Sequence, residues 1–231
     1  MNLLALDTSS EGCSSALLCD DQLTSRSAVA PRGHTRLLMP MIRELLNAAD
    51  LKPTELDALA FACGPGSFTG LRIATGVVQG LAYGLDIPVV PVSSLQAVAA
   101  GAIEQFDLDE GDKVAVAFDA RMGEVYWGSY ECRGGMPEAL APERVCAPQQ
   151  IALEPGPGRW FGAGTGWRLR EQFGAEVIAA IAQGDDSLLP QASQIARLAS
   201  RSFAVNGGVA AARAQPVYIR DEVAWKKLPG R

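Results

Sequence analysis

The sequence predicts an α/β protein with two lobes of similar βββαβα order. Apolar, strand-like runs alternate with segments of helical periodicity in both halves of the chain. A glycine-rich loop at residues 64–70 (GPGSFTG) joins a strand to a helix, and an acidic stretch with a glycine at residues 107–112 separates the two series. Hydrophobic residues make up 48% of the 231 positions, which is enough to bury the core of a protein this large.

The amino-terminal half is predicted to start with a three-stranded meander and to continue with alternating helices and strands. A helix is predicted at residues 35–49, where apolar side chains recur every three or four positions and Pro40 implies a kink or a late start. A second helix, at residues 69–84, follows the glycine loop, and Ser93 or Ser94 caps a third. The predicted strands are residues 3–6, 13–18, 23–29, 57–63 and 88–92.

The carboxy-terminal half repeats this order without a visible sequence repeat. Residues 113–118 and 124–131 form a predicted hairpin, and two helices are predicted near residues 149–153 and 193–205. A weaker strand is predicted near residues 139–146, and a further strand at residues 159–162 is followed by a turn and another helix. Two duplicated lobes suggest an actin-like or sugar-kinase-like architecture.

This element order divides the chain into three predicted parts. The amino-terminal lobe covers residues 1–107 and the carboxy-terminal lobe covers residues 108–215. The tail, residues 216–231, begins with apolar residues, so we expect it to dock back on the body of the protein.

Charge, cysteines and hydropathy limit the class of protein. The formal net charge of −6 argues against a protein that binds nucleic acid alone, so any contact with RNA would need a partner. The five cysteines are scattered without CxxC spacing, which favours a reducing compartment. The amino terminus lacks the pattern of a signal peptide, and no apolar run approaches the ~20 residues that span a bilayer. We therefore expect a cytoplasmic protein without a membrane segment.

The glycine loop has two interpretations. Its backbone N–H groups at a helix N-terminus could bind an anion, or its glycines could let strand and helix pack closely in a tight turn. It is neither a Walker A motif nor GxGxxG, because the lysine and the glycine spacing are absent. The polar turn after the first strand could likewise meet a phosphate or could cap the turn. The residues of the candidate nucleotide or anion site are Asp7, Thr8, Gly64, Gly66 and Ser67.

A row of glycines marks the helix that follows this loop. Gly76, Gly80 and Gly84 recur every fourth residue and so lie on one face. Each costs about 1 kcal/mol relative to Ala in a helix interior, so close approach of another backbone is the expected compensation. That backbone could belong to the protein's own sheet or to a partner helix.

His34 is the only histidine in the chain. A zinc site of the HExxH type is therefore absent, and a Ser-His-Asp triad would have to use His34 itself. We expect His34 to be a polar capping or interface group. Arg72, Arg121 and Glu124 are further polar candidates, each of which could instead be an ordinary surface ion pair.

Five strings along the chain are specific when they occur together. They are residues 4–8 (LALDT), 33–35 (GHT), 64–70 (GPGSFTG), 119–127 (DARMGEVYW) and 224–229 (AWKKLP). In these strings the sequence resembles the bacterial TsaB family. The resemblance runs from the first strand to the last residues and covers essentially the whole chain.

The resemblance implies a fold of the actin-like, acetate and sugar kinase superfamily and a role in making N6-threonylcarbamoyladenosine at position 37 of tRNA. In that pathway TsaD carries the metal site and transfers the threonylcarbamoyl group, while the ATPase TsaE resets the complex. TsaB is the non-catalytic paralogue that scaffolds and activates TsaD. TsaD-like proteins hold the metal with two histidines four residues apart, whereas here His34 is followed at that spacing by Leu38.

The resemblance also implies where partners bind. The first two helices would pack on the matching helices of TsaD, or on a second copy of this chain when TsaD is absent, and tRNA would be reached only through the complex. The implied interface residues are His34, Leu37, Leu38, Met41, Ile42, Leu45, Arg72, Gly76, Gly80 and Gly84. No catalytic residue, metal or obligatory cofactor is expected, and weak binding of ATP or ADP is left open. The alternative is a stand-alone nucleotide phosphohydrolase or a peptidase.

Overall fold

The first of two mixed β-sheets is built from the amino-terminal half of the chain. The computed structural model describes residues 1–220. The first sheet has the strand order β3-β2-β1-β4-β5, in which β1 pairs with β2 and β2 with β3 antiparallel, while β1, β4 and β5 run parallel. Its strands are β1 (Asn2–Asp7), β2 (Gly12–Cys19), β3 (Gln22–Val29), β4 (Ala58–Gly64) and β5 (Val89–Ser93).

Three helices of the amino-terminal half lie where the sequence predicts them. They are α1 (His34–Ala48), α2 (Phe68–Leu85) and α3 (Ser94–Phe106), and Ser93 caps α3 by accepting hydrogen bonds from the N–H groups of Leu95 and Gln96. Helix α1 continues through Pro40 instead of starting after it.

The central strands of the first sheet are apolar because both faces of the sheet are covered. Leu4 and Leu6 of β1 pack in one core with α1 and α2, whereas Leu3 and Ala5 pack in a second core on the opposite face. Burial on both faces explains the nearly continuous apolar sequence of β1 and β4.

The second sheet repeats the strand order of the first. Read from β8, its order is β8-β7-β6-β10-β11, and β9 pairs with β7 outside this path. When β9 is left out of the count, each sheet has the order third, second, first, fourth and fifth strand. This duplication, with helices beside both sheets, confirms the predicted two-lobed, actin-like α/β fold. Its strands are β6 (Lys113–Arg121), β7 (Glu124–Arg133), β8 (Met136–Ala139), β9 (Arg144–Cys146), β10 (Trp160–Ala163) and β11 (Ile181–Asp185).

Some elements of the second half differ from the predictions. The helix predicted at residues 149–153 is a single 3-10 turn, Pro148–Gln150. Of the single strand predicted near residues 139–146, only the end of β8 at Ala139 and β9 are strand, and Pro142 between them has no N–H for a ladder. Strand β11 was not predicted, since its short and largely exposed sequence IAQGD lacks an alternating apolar pattern.

The last helices of the two halves are not confined to their own lobes. After a 3-10 segment (Thr165–Gln172) and α4 (Ala175–Ala180), the chain forms α5 (Ala192–Asn206). Helix α5 covers the free face of the first sheet, and α3 lies between the two sheets. The predicted boundary at residue 107 therefore separates the sheets, but the predicted carboxy-terminal lobe, residues 108–215, does not pack as one unit.

The segment after α5 stays on the amino-terminal side. Val209 pairs with Val89 beside β5, and the N–H of Val217 donates to the carbonyl of Cys63 at 2.8 Å. Arg220 then donates to the carboxylate of Glu124 in the second lobe. The tail thus docks on the body through residue 220, and the rest of the predicted docking tail, including residues 224–229, lies outside the described residues.

Glu143 joins the second lobe to the N-terminus of α3. Its carboxylate accepts hydrogen bonds from the hydroxyl of Ser93, the α3 cap, and from the hydroxyl of Tyr130 on β7 at 2.7 Å. Tyr130 is buried, and burial together with the nearby Glu143 carboxylate raises its pKa well above the usual value. A carboxylate at a helix N-terminus also interacts favourably with the helix dipole.

We predict that Glu143→Ala destabilises the chain by about 1–3 kcal/mol, because it leaves the buried Tyr130 hydroxyl without its acceptor. Urea denaturation measures this change. Glu138→Ala is the control, because that carboxylate is exposed and only 3.5 Å from Arg133, and we expect it to change stability by less than about 0.5 kcal/mol. Equal effects of the two substitutions would contradict the assignment of Glu143 as an interlobe contact.

Candidate functional site

The residues predicted to bind a nucleotide or anion lie together, but they pack on one another. The hydroxyl of Thr8 donates to the carbonyl of Gly70 at 2.7 Å and accepts from the N–H of Ala74 at 3.1 Å. The N–H of Ser67 donates to the carbonyl of Ser9 at 2.7 Å. The turn after β1 is therefore bonded directly to the first turn of α2.

The glycines of the loop allow this close packing. A Cβ on Gly66 would lie 2.4 Å from the carbonyl oxygen of Ser9, and a Cβ on Gly70 would lie 1.9 Å from that of Thr8. Gly64 has φ +123°, and a Cβ there would lie 2.6 Å from the carbonyl oxygen of Val217. Backbone therefore lies where side chains at these three positions would be, which is the close packing that one interpretation of the loop predicts. Anion binding by its N–H groups stays a prediction.

Ser67 has a structural role at the same place. It is the N-cap of α2, and its hydroxyl accepts a hydrogen bond from the N–H of Gly70 at 3.3 Å. This is the capping alternative that serine at such a position favours.

Asp7 is a fully buried carboxyl group below this loop. One carboxylate oxygen accepts hydrogen bonds from the N–H and hydroxyl of Ser9 at 2.9 and 2.6 Å, and the other has no partner among the described residues. Burial raises the pKa of Asp7 to about 7, although the bonds from Ser9 act in the opposite direction. Asp7 and Thr8 therefore stabilise the turn from inside and do not face an open cleft.

His34 is also buried and is bonded within the chain. Its Nε2 lies 3.0 Å from the carbonyl oxygen of Ser10 and 3.2 Å from that of Gly12. Because carbonyl oxygens only accept, Nε2 must carry the proton in these contacts. His34 thus ties the start of α1 to the turn between β1 and β2; it does not cap the helix, whose N-cap is Gly33.

The apolar residues predicted for the partner interface on α1 belong to the core. Leu38, Met41, Ile42 and Leu45 are buried against the first sheet, so their assignment to a partner-facing surface is wrong. Leu37 is partly buried and packs on the same core. The apolar face of α1 is wide because two adjacent apolar stripes are needed to cover the sheet.

The glycine row of α2 is the predicted feature that lies open on the surface. Gly76, Gly80 and Gly84 are exposed, and no atom lies within 4 Å of a Cβ built on any of them. The protein's own sheet therefore does not approach this face. Partly buried Val77 and Leu81 border the row.

Arg72 lies on the same face, one helical turn before the glycine row. Its guanidinium group stacks on the ring of Phe68 at 3.8 Å, and its Nε donates to the hydroxyl of Tyr218 at 3.3 Å. Phe68 and Tyr218 are not among the predicted site residues, although the four-residue spacing of Phe68 and Arg72 in the sequence is a detectable signal. Arg121, in contrast, forms a surface ion pair with Asp119 at 3.4 Å.

Other features of the described part of the chain add no second candidate. A cavity of about 500 Å³ beside β11 is lined by Phe106, Trp167 and Arg170, far along the chain from the predicted site residues. Within residues 1–220 no group of three or more His, Cys, Asp or Glu side chains could hold a metal ion. The five cysteines are free thiols, and none of the described helices is long and apolar enough to cross a membrane.

We predict opposite effects of alanine at two glycines of α2. Gly70→Ala should destabilise the chain by about 3 kcal/mol or more, because its Cβ would overlap the carbonyl of Thr8. Gly76→Ala should stabilise it by about 0.5–1 kcal/mol, because the added methyl group meets open space and favours the helix. Urea denaturation of both variants tests this pair, and destabilisation by Gly76→Ala would contradict the exposed position of the row.

We predict that Asp7 makes stability fall as the pH rises. Folding raises its pKa from 3.8 to about 7, so between these values the folded chain holds a proton that the unfolded chain has lost. Asp7 should therefore stabilise the fold about 2–3 kcal/mol less at pH 8 than at pH 5, and Asp7→Asn should remove this dependence. Urea denaturation at both pH values measures it, with Asp21→Asn in an exposed turn as the control. An unchanged pH dependence in Asp7→Asn would disprove the prediction.

Comparison with protein families and curated proteins gives consistent matches. The family model described as "TsaD: tRNA N6-adenosine threonylcarbamoyltransferase" matches residues 27–227. The tRNA threonylcarbamoyladenosine biosynthesis proteins TsaB of Haemophilus influenzae and Escherichia coli are 41% and 39% identical to this chain. Both alignments cover 100% of this chain, and they cover 98% and 100% of the relatives, respectively.

Solved structures give the same result. YeaZ from Pseudomonas aeruginosa superposes with a TM-score of 0.88 at 44% identity and covers 94% of this chain and 99% of its own. An uncharacterized protein with similarity to peptidase YEAZ from the same organism has a TM-score of 0.89 at 44% identity and covers 95% and 99%. The chain therefore belongs to the TsaB family of tRNA threonylcarbamoyladenosine biosynthesis proteins, within the wider family that the TsaD model describes.

Proposed function

We propose that this chain is a non-catalytic subunit that scaffolds and activates TsaD for threonylcarbamoyl transfer to adenosine 37 of tRNA, in a complex that also contains TsaE. The single observation that carries the proposal is the glycine row of α2. Three exposed glycines destabilise this helix by roughly 3 kcal/mol relative to alanines. No atom of the described chain lies within 4 Å of a Cβ built on any of them, so no packing within that part of the chain offsets this cost.

A partner helix would use that space. Without side chains on Gly76, Gly80 and Gly84, the backbone of a second helix can approach more closely than the 8–10 Å between axes that is usual in packed helices. Val77 and Leu81 border the row and would supply apolar contact. The partner that we propose is TsaD, with a second copy of this chain taking its place when TsaD is absent.

The contacts of the candidate catalytic groups support a non-catalytic role. Asp7 and Thr8 are buried under the glycine loop, and His34 is bonded to two backbone carbonyls, so none of the three is poised to meet a substrate. We propose that the chain needs no cofactor of its own, that any ATP or ADP binding is weak, and that it reaches tRNA only through the complex. Such a role places it in the cytoplasm.

The alternative is an enzyme acting alone. One of the similar Pseudomonas aeruginosa proteins is described as similar to peptidase YEAZ, which makes the peptidase alternative worth testing. A stand-alone phosphohydrolase or peptidase would turn over ATP or a peptide without TsaD and would lose that activity in Asp7→Ala or His34→Ala. We expect the purified chain to show no turnover of either substrate.

We predict that Gly80→Leu weakens association with TsaD by at least about 100-fold, because its side chain fills the space of the partner backbone. The fold should remain intact, since Gly80 is exposed, no atom lies within 4 Å of a Cβ built on it, and leucine favours the helix. Co-elution with TsaD and the amount of modified nucleoside made by the reconstituted complex measure the effect.

Arg201→Leu is the matched control for this substitution, because it adds a leucine to an exposed position of α5 on a different part of the surface. It should leave both association and modification unchanged. A Gly80→Leu variant that co-elutes normally and supports full modification would overturn the assignment of the glycine row to the partner interface.

A further inference from the structure

We propose that Phe68, Arg72 and Tyr218 form an anchor at one end of the α2 surface, and that the protein partner presents a carboxylate to Arg72. This inference rests on the proposed function of α2 and adds the chemistry of the partner.

The anchor is continuous with the glycine row. Phe68 and Arg72 precede Gly76 at four-residue spacing on α2, so all three lie along one exposed row of the helix. Successive members of such a row are about 6 Å apart along the helix axis. A helix that packs on the glycines would therefore reach Arg72 within one turn.

The three side chains of the anchor are held in position before any partner binds. The guanidinium group of Arg72 lies 3.8 Å from the centre of the Phe68 ring, and the rings of Phe68 and Tyr218 are 5.6 Å apart. The hydroxyl of Tyr218 accepts a hydrogen bond from Nε of Arg72. Ordered side chains lose less conformational entropy on binding, which is a property of residues that dominate interface energies.

The same side chains remain accessible. Phe68 is 56% exposed and Tyr218 is 43% exposed, and Arg72 is exposed beside them. Among residues 1–220, no carboxylate lies within ion-pair distance of Arg72. Its terminal nitrogens can thus donate to a carboxylate from outside the described part of the chain.

A protein partner fits this composition better than RNA does. Phe, Tyr and Arg are enriched in the centres of protein interfaces. Two other described arginines are already paired, since Arg220 is bonded to Glu124 and Arg121 to Asp119. The chain also has a net charge of −6, whereas RNA binding requires several cations to neutralise phosphates.

The experiment measures the affinity of the full chain for TsaD by isothermal titration calorimetry at low and high salt. We expect Arg72→Ala to weaken binding about 10-fold. Arg72→Glu should weaken it further, because it places a negative charge next to the carboxylate of the partner. Arg72→Ala should also reduce the salt dependence of the affinity, since it removes an ion pair. Arg201→Glu on α5 is the matched control for the charge change, and we expect it to bind as the parent chain does.

Other outcomes would overturn the proposal in distinguishable ways. If Gly80→Leu prevents binding and Arg72→Glu does not weaken it, the α2 surface is correct and the anchor is wrong. If neither variant weakens binding, the proposed function of α2 fails as well. If Arg72→Ala lowers only the affinity of the assembled complex for tRNA, the anchor serves RNA.

A last variant tests whether the carboxylate comes from the chain itself. Asp221 and Glu222 follow the described residues directly, so we replace both in Asp221→Asn/Glu222→Gln. We expect this variant to bind TsaD as the parent chain does. If it instead lowers affinity and salt dependence as Arg72→Ala does, Arg72 pairs within the chain and the proposal is overturned.

Discussion

The contact between the turn after β1 and the first turn of α2 fixes the features on which the proposed function depends. The Thr8 hydroxyl bonds to both Gly70 and Ala74, and the carbonyls of Thr8 and Ser9 lie where side chains at positions 70 and 66 would otherwise be. These bonds set the position of α2 on the first sheet. Because one face of α2 is held this way, the glycine row on its outer face has a defined direction.

The same contact explains why a loop with the composition of a phosphate site packs against the backbone of its own chain. Glycine permits either close approach of a ligand or close approach of another segment, and composition does not distinguish them. Here the second segment is the turn containing Asp7 and Thr8, whose side chains are the ones that a kinase-like cleft would need. The turn after β1 and the glycine loop with the first turn of α2, the two motifs identified in the sequence, are therefore hydrogen-bonded to each other.

The local periodicity of the sequence predicted most helices and strands of the amino-terminal half. Helices α1 and α2 end within one residue of their predicted ends, because long amphipathic segments carry a strong signal. Strand β11 and the divided strand at Pro142 lacked such a signal, since they are short and partly exposed.

The candidate site was predicted less well because burial depends on tertiary packing. Periodicity marked Leu38, Met41, Ile42 and Leu45 as one apolar face, but it could not show whether the sheet or a partner covers it. The glycine row had the same ambiguity, and here the structure shows open space. Tyr218 lies 146 residues after Arg72 in the sequence, so no local pattern could predict the hydrogen bond between them.

The position of α5 bears on how the protein folds during synthesis. The first sheet is complete in sequence at Ser93, yet the helix that covers its second face begins roughly 100 residues later, at Ala192. Until that helix has been synthesised, the apolar side chains on this face, including Leu3 and Val90, have only the α3 residues Ala97 and Ala100 as helical cover. The core of the amino-terminal half is therefore completed by one of the last helices of the described chain.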